Sequence, residues 1–343
     1  MTNVLFTTIL ILCLFVLCIA VAAYSTWAER KVAAVMQDRI GPNRAGPFGL
    51  LQPLADGGKL FFKEEFIPQN AEKFLFILAP GILMFISLII GAVIPWGQSL
   101  NIGGESLRIQ IANVDVGVLF LIGMSSISVY SMMISGWASN NKFSLISAVR
   151  ASSQMISYEL AMGLSLLSII LMNGSLDLQV ITETQGAWHG MKWNILFQPL
   201  AFIIFFTCAM AECNRAPFDL AECESELVNG FHTEYSSMKF GLFLFAEYVN
   251  MFISSALIVT LFFGGYNFPW IEAATAHWGE NIAGVLSIVI FLLKTFIFVF
   301  IFMWIRWTLP RFRYDQLMHL GWRVFIPLAL LNLLATGAVL LFV

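Results

Sequence analysis

Ala211-Glu-Cys-Asn-Arg-Ala-Pro-Phe-Asp-Leu-Ala-Glu-Cys-Glu-Ser-Glu226 packs five carboxylates into sixteen residues: Glu212, Asp219, Glu222, Glu224 and Glu226. Arg215 alone opposes them, one minus five, a local balance of −4. Long apolar stretches flank this segment on both sides. Ionisable groups at membrane depth are expensive and mark function by default. Like charges this close titrate as a coupled set rather than one by one, which is the physics of a proton store.

Working outward, the flanking stretches belong to a polytopic membrane protein. Of 343 residues, 59% are hydrophobic and 11% charged, against about 25% charged in soluble domains. Eight spans are legible: Val4–Trp27, Phe74–Trp96, Val116–Trp137, Leu145–Met172, Ile195–Ala211, Phe240–Phe263, Ile282–Ile305 and Val324–Val343. The first carries no charge and no Lys or Arg precedes it, so it reads as a span rather than a cleaved signal. Trp27, Trp96 and Trp137 close their spans as interfacial aromatics do. Basic residues cluster in the odd loops and adjoining span ends, 15 of 18. The positive-inside rule then puts those loops in the cytoplasm or its mitochondrial equivalent and both termini outside.

Three spans carry charge. Leu145–Met172 holds Arg150 and Glu159, Phe240–Phe263 holds Glu247, and Ile282–Ile305 holds Lys294. Glu247 lies about 10 Å into its span and Glu159 about 20 Å from the outer end, at 1.5 Å per residue. Glu159 and Arg150 are nine residues apart, on opposite helix faces, so Glu159 must turn inward to other polar groups. Lys294 is expected to find an acidic partner or to lose its charge readily. Buried interhelical ion pairs are the plain alternative for each of these groups. The acidic segment itself reads as a helix from Pro217 to Asn229-Gly230, with Asp219, Glu222 and Glu226 on one face.

The first loop, 28–73, is more than a connector. Gly41-Pro-Asn-Arg-Ala-Gly-Pro47 is turn-rich. Beyond it Leu50, Leu54, Phe61 or Phe62, and Phe66 fall near one face and Gln52, Asp56, Lys59 and Lys63 mostly elsewhere, suggesting an interfacial amphipathic helix. Glu29-Arg30-Lys31 reads either as an anchor that sets topology or as the rim of a ligand chamber, with Arg39 and Asp56 nearby in sequence. The five cysteines lack metal or iron–sulfur spacing. No nucleotide-binding glycine motif occurs, and no basic tract suggests nucleic acid. A redox centre is therefore not expected in this chain. Without repeats or linkers, one membrane domain over 1–343 is the simplest organisation.

These motifs carry a family resemblance. Ala28-Glu-Arg-Lys31, Gln37-x-Arg-x-Gly-Pro-Asn43, Gly49-Leu-Leu-Gln-Pro-Leu-Ala-Asp56 and Lys59-Leu-x-x-Lys-Glu64 resemble the first loop of the H subunit of proton-pumping NADH:quinone oxidoreductase, also called subunit 1 of respiratory complex I. Ser157-Tyr-Glu159, the Glu212–Glu226 stretch continuing to Tyr235, Ala246-Glu-Tyr248 and Pro310-Arg-x-Arg-Tyr-Asp-Gln-Leu-Met318 extend it in order along the whole chain. The resemblance implies an all-α membrane subunit of about eight helices that, with peripheral-arm subunits, forms the chamber where quinone is reduced. NADH, flavin and iron–sulfur clusters would then reside on partner subunits, with quinone as substrate. It further implies that Arg30, Arg39 and Asp56 belong to the quinone side. Glu159, Glu212, Asp219, Glu222, Glu224, Glu226 and Glu247 would form an acidic proton path toward antiporter-like membrane-arm subunits, with Arg215 as counter-charge. The expected location is the bacterial inner membrane, with the mitochondrial inner membrane as alternative. A homologous component of an energy-converting hydrogenase or ferredoxin-linked complex remains open. So do a stand-alone ion or proton transporter, which the missing internal repeat disfavours, and a passive scaffold.

Overall fold

In the computed structural model, residues 2–102, 105–219, 230–269, 271, 275 and 279–342 are described. The chain is an all-α polytopic membrane protein. Among the described residues, seven helices are long and apolar enough to cross a membrane. We label α1 Thr2–Met36, α2 Gln52–Phe62, α3 Lys73–Ile90, α4 Gly117–Ala138 and α5 Lys142–Asn173. There follow α6 Leu178–Gln185, α7 Pro199–Glu212, α8 Ser237–Phe262, α9 Glu280–Thr308 and α10 Tyr314–Phe342. Helix α10 contains a π-helical turn at Leu320–Phe325.

The fifth expected span, Ile195–Ala211, is short. Pro199 cannot donate to a helix ladder, and its predecessor Gln198 is non-helical, so the expected span splits after a turn at Asn194–Phe197. The remaining 14 residues of α7 reach about 21 Å, less than the ~30 Å hydrocarbon core. Helix α1 errs the other way. It continues past Trp27 to Met36 and carries Glu29, Arg30 and Lys31 in helical register.

Sequence chemistry explains the main ends. Asn141 caps α5 by accepting from the Phe143 N–H at 3.0 Å, and Asp177 caps α6 by accepting from Gln179 N–H at 2.9 Å. Gly174 closes α5 in the left-handed conformation. Small residues let α4 and α5 approach closely, as membrane helices require. A methyl group at Gly136 would lie 2.4 Å from the Ala148 Cβ. The apolar core runs between α1, α3, α5, α7, α8, α9 and α10 around Phe252, Phe262, Phe291 and Phe302. A second cluster joins α3, α4, α5 and α8 through Phe76, Met155 and Phe243, with Tyr235 stacked on Phe76 at 4.0 Å.

Two features add to the reading of the spans. Strands β1 Gly97–Ile102 and β2 Glu105–Ile109 form an antiparallel hairpin between α3 and α4. Of the two outcomes expected for Lys294, in α9, the acidic partner is absent among the described residues. Its ammonium instead donates to the backbone carbonyls of Phe263 at 2.9 Å, Gly265 at 3.1 Å and Asn267 at 2.5 Å. These follow the C-terminal end of α8, where the helix dipole and unpaired carbonyls favour a cation.

Candidate functional site: a buried acid chain beside an interfacial cavity

Arg215 lies just beyond α7 and is 2% exposed. Its segment is fixed from several sides. Gln154 of α5 donates to the Phe218 carbonyl at 2.7 Å, Phe312 N–H donates to the Pro217 carbonyl at 3.1 Å, and Tyr158 meets Phe218 edge-on. So held, the guanidinium sits between two acids from different helices. Nη1 is 2.9 Å from the Glu29 carboxylate of α1, and Nε is 3.1 Å from Glu247 of α8. The guanidinium also stacks over the Tyr248 ring at 4.1 Å. Tyr248 O–H donates to Glu29 at 2.7 Å, and Arg306 of α9 pairs with the other Glu29 oxygen. Burial opposes the charge on Arg215, but Glu247 and Glu29 overcome it and hold its pKa well above the ordinary arginine value. Two acids and two guanidiniums therefore form a neutral cluster with Arg215 permanently charged.

On one side the cluster meets a cavity of about 300 Å³ at the first loop. Arg30 and Asp56 pair across its wall at 2.8 Å, with Lys59, Lys63 and Tyr248 also lining it. Gln52 steadies Asp56 by an i,i+4 hydrogen bond of 3.0 Å. The expected amphipathic helix is α2, and Gly57-Gly58 does not break it. It turns Asp56 and Lys59 to the cavity, while Leu54, Phe61 and Phe62 are exposed on its other side. Arg39 does not join Arg30 and Asp56 here. It is exposed and donates to Gln37 at 2.7 Å.

On the other side the acids continue. Glu247 and Glu212 both line a cavity of about 20 Å³, together with Asn214 and His232. Glu212 also lines a second cavity of about 40 Å³ with Ser125 and Ser254. Ser125 hydrogen-bonds both Glu212 and Glu159, and Ser126 donates to Glu159 as well. The buried Asp219 pairs with Arg311 at 2.8 Å and acts electrostatically on His232. Burial pushes the His232 pKa down to about 4, against the opposing pull of Asp219.

The structure thus gathers Glu159, Glu212 and Glu247 along one route, with Arg215 at the turn, and holds Asp219 at its flank. Residues 213–219 form turns, not the first turn of a helix. Glu222, Glu224 and Glu226, with the expected acidic helix, lie outside the described residues. Of the cluster's members, Glu29 reads in sequence only as an anchor or chamber rim, and Tyr248 and Arg306 are not singled out as site residues. Their signals were present as an acid inside a helix that continues from a membrane span, a tyrosine beside Glu247, and an arginine ending α9.

Comparison with known proteins gives the family. The sequence profile of the family described as NADH dehydrogenase matches residues 8–337. An H subunit of NADH-quinone oxidoreductase from Cytophaga hutchinsonii is 57% identical over 335 residues, 97% of this chain and 96% of the relative. The H subunit of Flavobacterium johnsoniae is 55% identical over 334 residues, 97% of this chain and 95% of the relative. An H subunit of Geobacter sulfurreducens is 48% identical over 342 residues, 96% of this chain and 93% of the relative. With its membrane helices and its match along nearly the full length, the chain belongs to the family of NADH-quinone oxidoreductase H subunits, membrane components of a multisubunit oxidoreductase.

Proposed function

We propose that this chain forms the membrane wall of a quinone-reduction chamber and couples that reduction to proton translocation through its buried acids. The observation that carries this is Tyr248. It lines the interfacial cavity and donates to Glu29, which pairs with Arg215, which pairs with Glu247. A change of charge in the cavity is therefore one residue away from a cluster whose balance depends on every member.

Quinone is the substrate, supplied with electrons by clusters on peripheral-arm subunits. Reduction of quinone to quinol takes up two electrons and two protons. Arg30 and Asp56 shape the cavity wall, and the exposed Arg39 serves the same loop from outside it. A proton withdrawn near Tyr248, or negative charge arriving there, shifts the balance around Glu29 and Arg215. Glu247, Glu212 and Glu159 then adjust in turn, through cavities large enough for water. Arg215 stays charged and sets the potential, so the acids are the movable sites. Asp219 belongs to the flank of this path, and Glu222, Glu224 and Glu226 are assigned to the same acidic path from their sequence alone. Glu159 and Ser126 are half-buried, and a carboxylate that is not enclosed at that depth calls for a polar neighbour. An antiporter-like subunit of the membrane arm would supply it. The chain acts as one membrane domain in the bacterial inner membrane, basic loops to the cytoplasm.

The test is Glu247→Gln in the assembled complex in proteoliposomes. Glutamine keeps shape and hydrogen bonding but removes the charge. Quinone reduction and proton pumping should fall together, by about 100-fold or more if the acid transfers protons, with Glu247→Asp milder. Wild-type rate and pumping would leave the acids as structural ion pairs only.

A further inference from the structure

The cavities on either side of Glu212 share part of their walls. Glu212, Cys213 and Asn250 line both. At about 40 and 20 Å³, each exceeds the roughly 10–15 Å³ that a single water requires, and each presents several polar groups to hold one. Of the three shared residues, Glu212 is a terminus of any path. The Cys213 thiol donates to Ser254 at 3.4 Å, and a thiol is a weak partner in any case. Asn250 remains. It is half-buried, and among the described residues its amide has no hydrogen-bond partner. Asn250 follows Glu247 by three residues and precedes Ser254 by four, so all three fall on one face of the apolar helix α8.

We propose that Asn250 is the positioning residue that joins the water of one cavity to the water of the other, making a single proton path between Glu212 and Glu247. This rests on the coupling role proposed above. An amide suits the task because it both donates and accepts, and it does not titrate. Its carbonyl oxygen accepts from one water while its NH2 donates to the other, which sets the direction of the chain between them. When a protonated Glu212 loses its proton, that O–H bond breaks as the water in the larger cavity gains the proton. This water passes one of its own protons to the second water. The second water delivers a proton to the Glu247 carboxylate, forming a new O–H bond. Both waters end neutral, Asn250 is unchanged, and no electrons are transferred.

The test compares Asn250→Leu, Asn250→Val and Asn250→Ser in the complete complex in proteoliposomes, beside Glu212→Gln and Glu247→Gln. Quinone reduction, pumping and the solvent isotope effect in D2O are measured per assembled complex. Leucine and valine should each lower coupled turnover by about 100-fold, the low end of what a positioned proton-transfer group contributes, and should raise the isotope effect. Serine, which restores a hydroxyl and leaves room for one more water, should keep more than half of the wild-type rate. Should Asn250→Leu fail to assemble, the smaller Asn250→Val carries the test. If both acid variants are impaired while Asn250→Val turns over at the wild-type rate with the wild-type isotope effect, the proposal falls and the coupling role stands. If serine is as poor as valine and the isotope effect does not move, Asn250 is merely structural and the proposal falls again. If the acid variants themselves are wild type, the coupling role fails first.

Discussion

Arg215→Met would take the guanidinium from between Glu29 and Glu247, leaving Glu29 with Arg306 and Tyr248 and breaking the Glu247 pair. At the observed separations of 2.9 and 3.1 Å, and an effective dielectric constant of about 20, each attraction is worth about 5–6 kcal/mol before desolvation. Burial takes back most of that, so the net cost of removing one partner from such a site is about 3–5 kcal/mol. A loss of 1–2 kcal/mol already changes cellular abundance several-fold, so little assembled complex should form. The informative variant is the double one. Glu247→Gln on the Arg215→Met background removes one charge of each sign and returns the cluster to neutrality. It should recover on the order of 2 kcal/mol, within the range of coupling energies between contacting residues. The assay is the amount and heat-inactivation temperature of the complex in mild detergent for the wild type, both single variants and the double. Costs that simply add would refute the claim that these charges act as one cluster.

Other consequences follow from particular residues. His232 is buried with its pKa pushed from 6.5 to about 4, so the unfolded chain takes up the proton first. Its contribution is complete above about pH 6.5 and is lost as pH falls toward 4, up to about 3 kcal/mol. Heat inactivation between those limits should be less steep in pH for His232→Gln, and an identical pH slope would count against it. Lys294→Met strands three backbone carbonyls and should cost about 2–3 kcal/mol, the scale of hydrogen bonds to charged groups. Lys294→Arg should not restore the loss, because a planar fork does not match three converging carbonyls, and a fully stable Lys294→Arg complex would contradict that geometry. Cysteines at the exposed positions 44 and 313 should label from the cytoplasmic side and one at 108 from the other. Labelling of 44 and 108 from the same side would overturn the topology.

The spans were legible because hydropathy is additive along a helix and asks nothing of distant residues. Glu159, Glu212 and Glu247 were legible for the related reason that a charge inside an apolar run is costly wherever it points. Glu29 was ambiguous. At the end of a span it looked like an anchor or a chamber rim, and only folding reveals that α1 continues and brings it to Arg215, 186 residues away. Arg306 is 277 residues from the same acid, a distance that spacing within a motif cannot bridge. Lys294 is legible in part. Its costly place inside an apolar run is read from sequence, whereas the backbone carbonyls that receive it at a helix end carry no sequence label. The hairpin could have been read, since Leu100, Ile102, Leu107 and Ile109 alternate around Gly103-Gly104. Its membrane-loop setting obscured the period. The split before α7 was likewise written in Gln198-Pro199. Asn250 could not have been selected from sequence, because its place depends on two cavities that only packing creates.

The central claim is that Glu212 and Glu159 change protonation when quinone is reduced at the other end of the chain. Redox-difference infrared spectroscopy of the assembled complex, with and without quinone turnover, reads this directly in the protonated-carboxyl region. Loss of part of that signal in Glu212→Gln, and of a coupled part in Glu159→Gln, is the predicted result. A difference spectrum that is the same in the wild type and in both variants would contradict the account and leave these carboxylates as fixed charges.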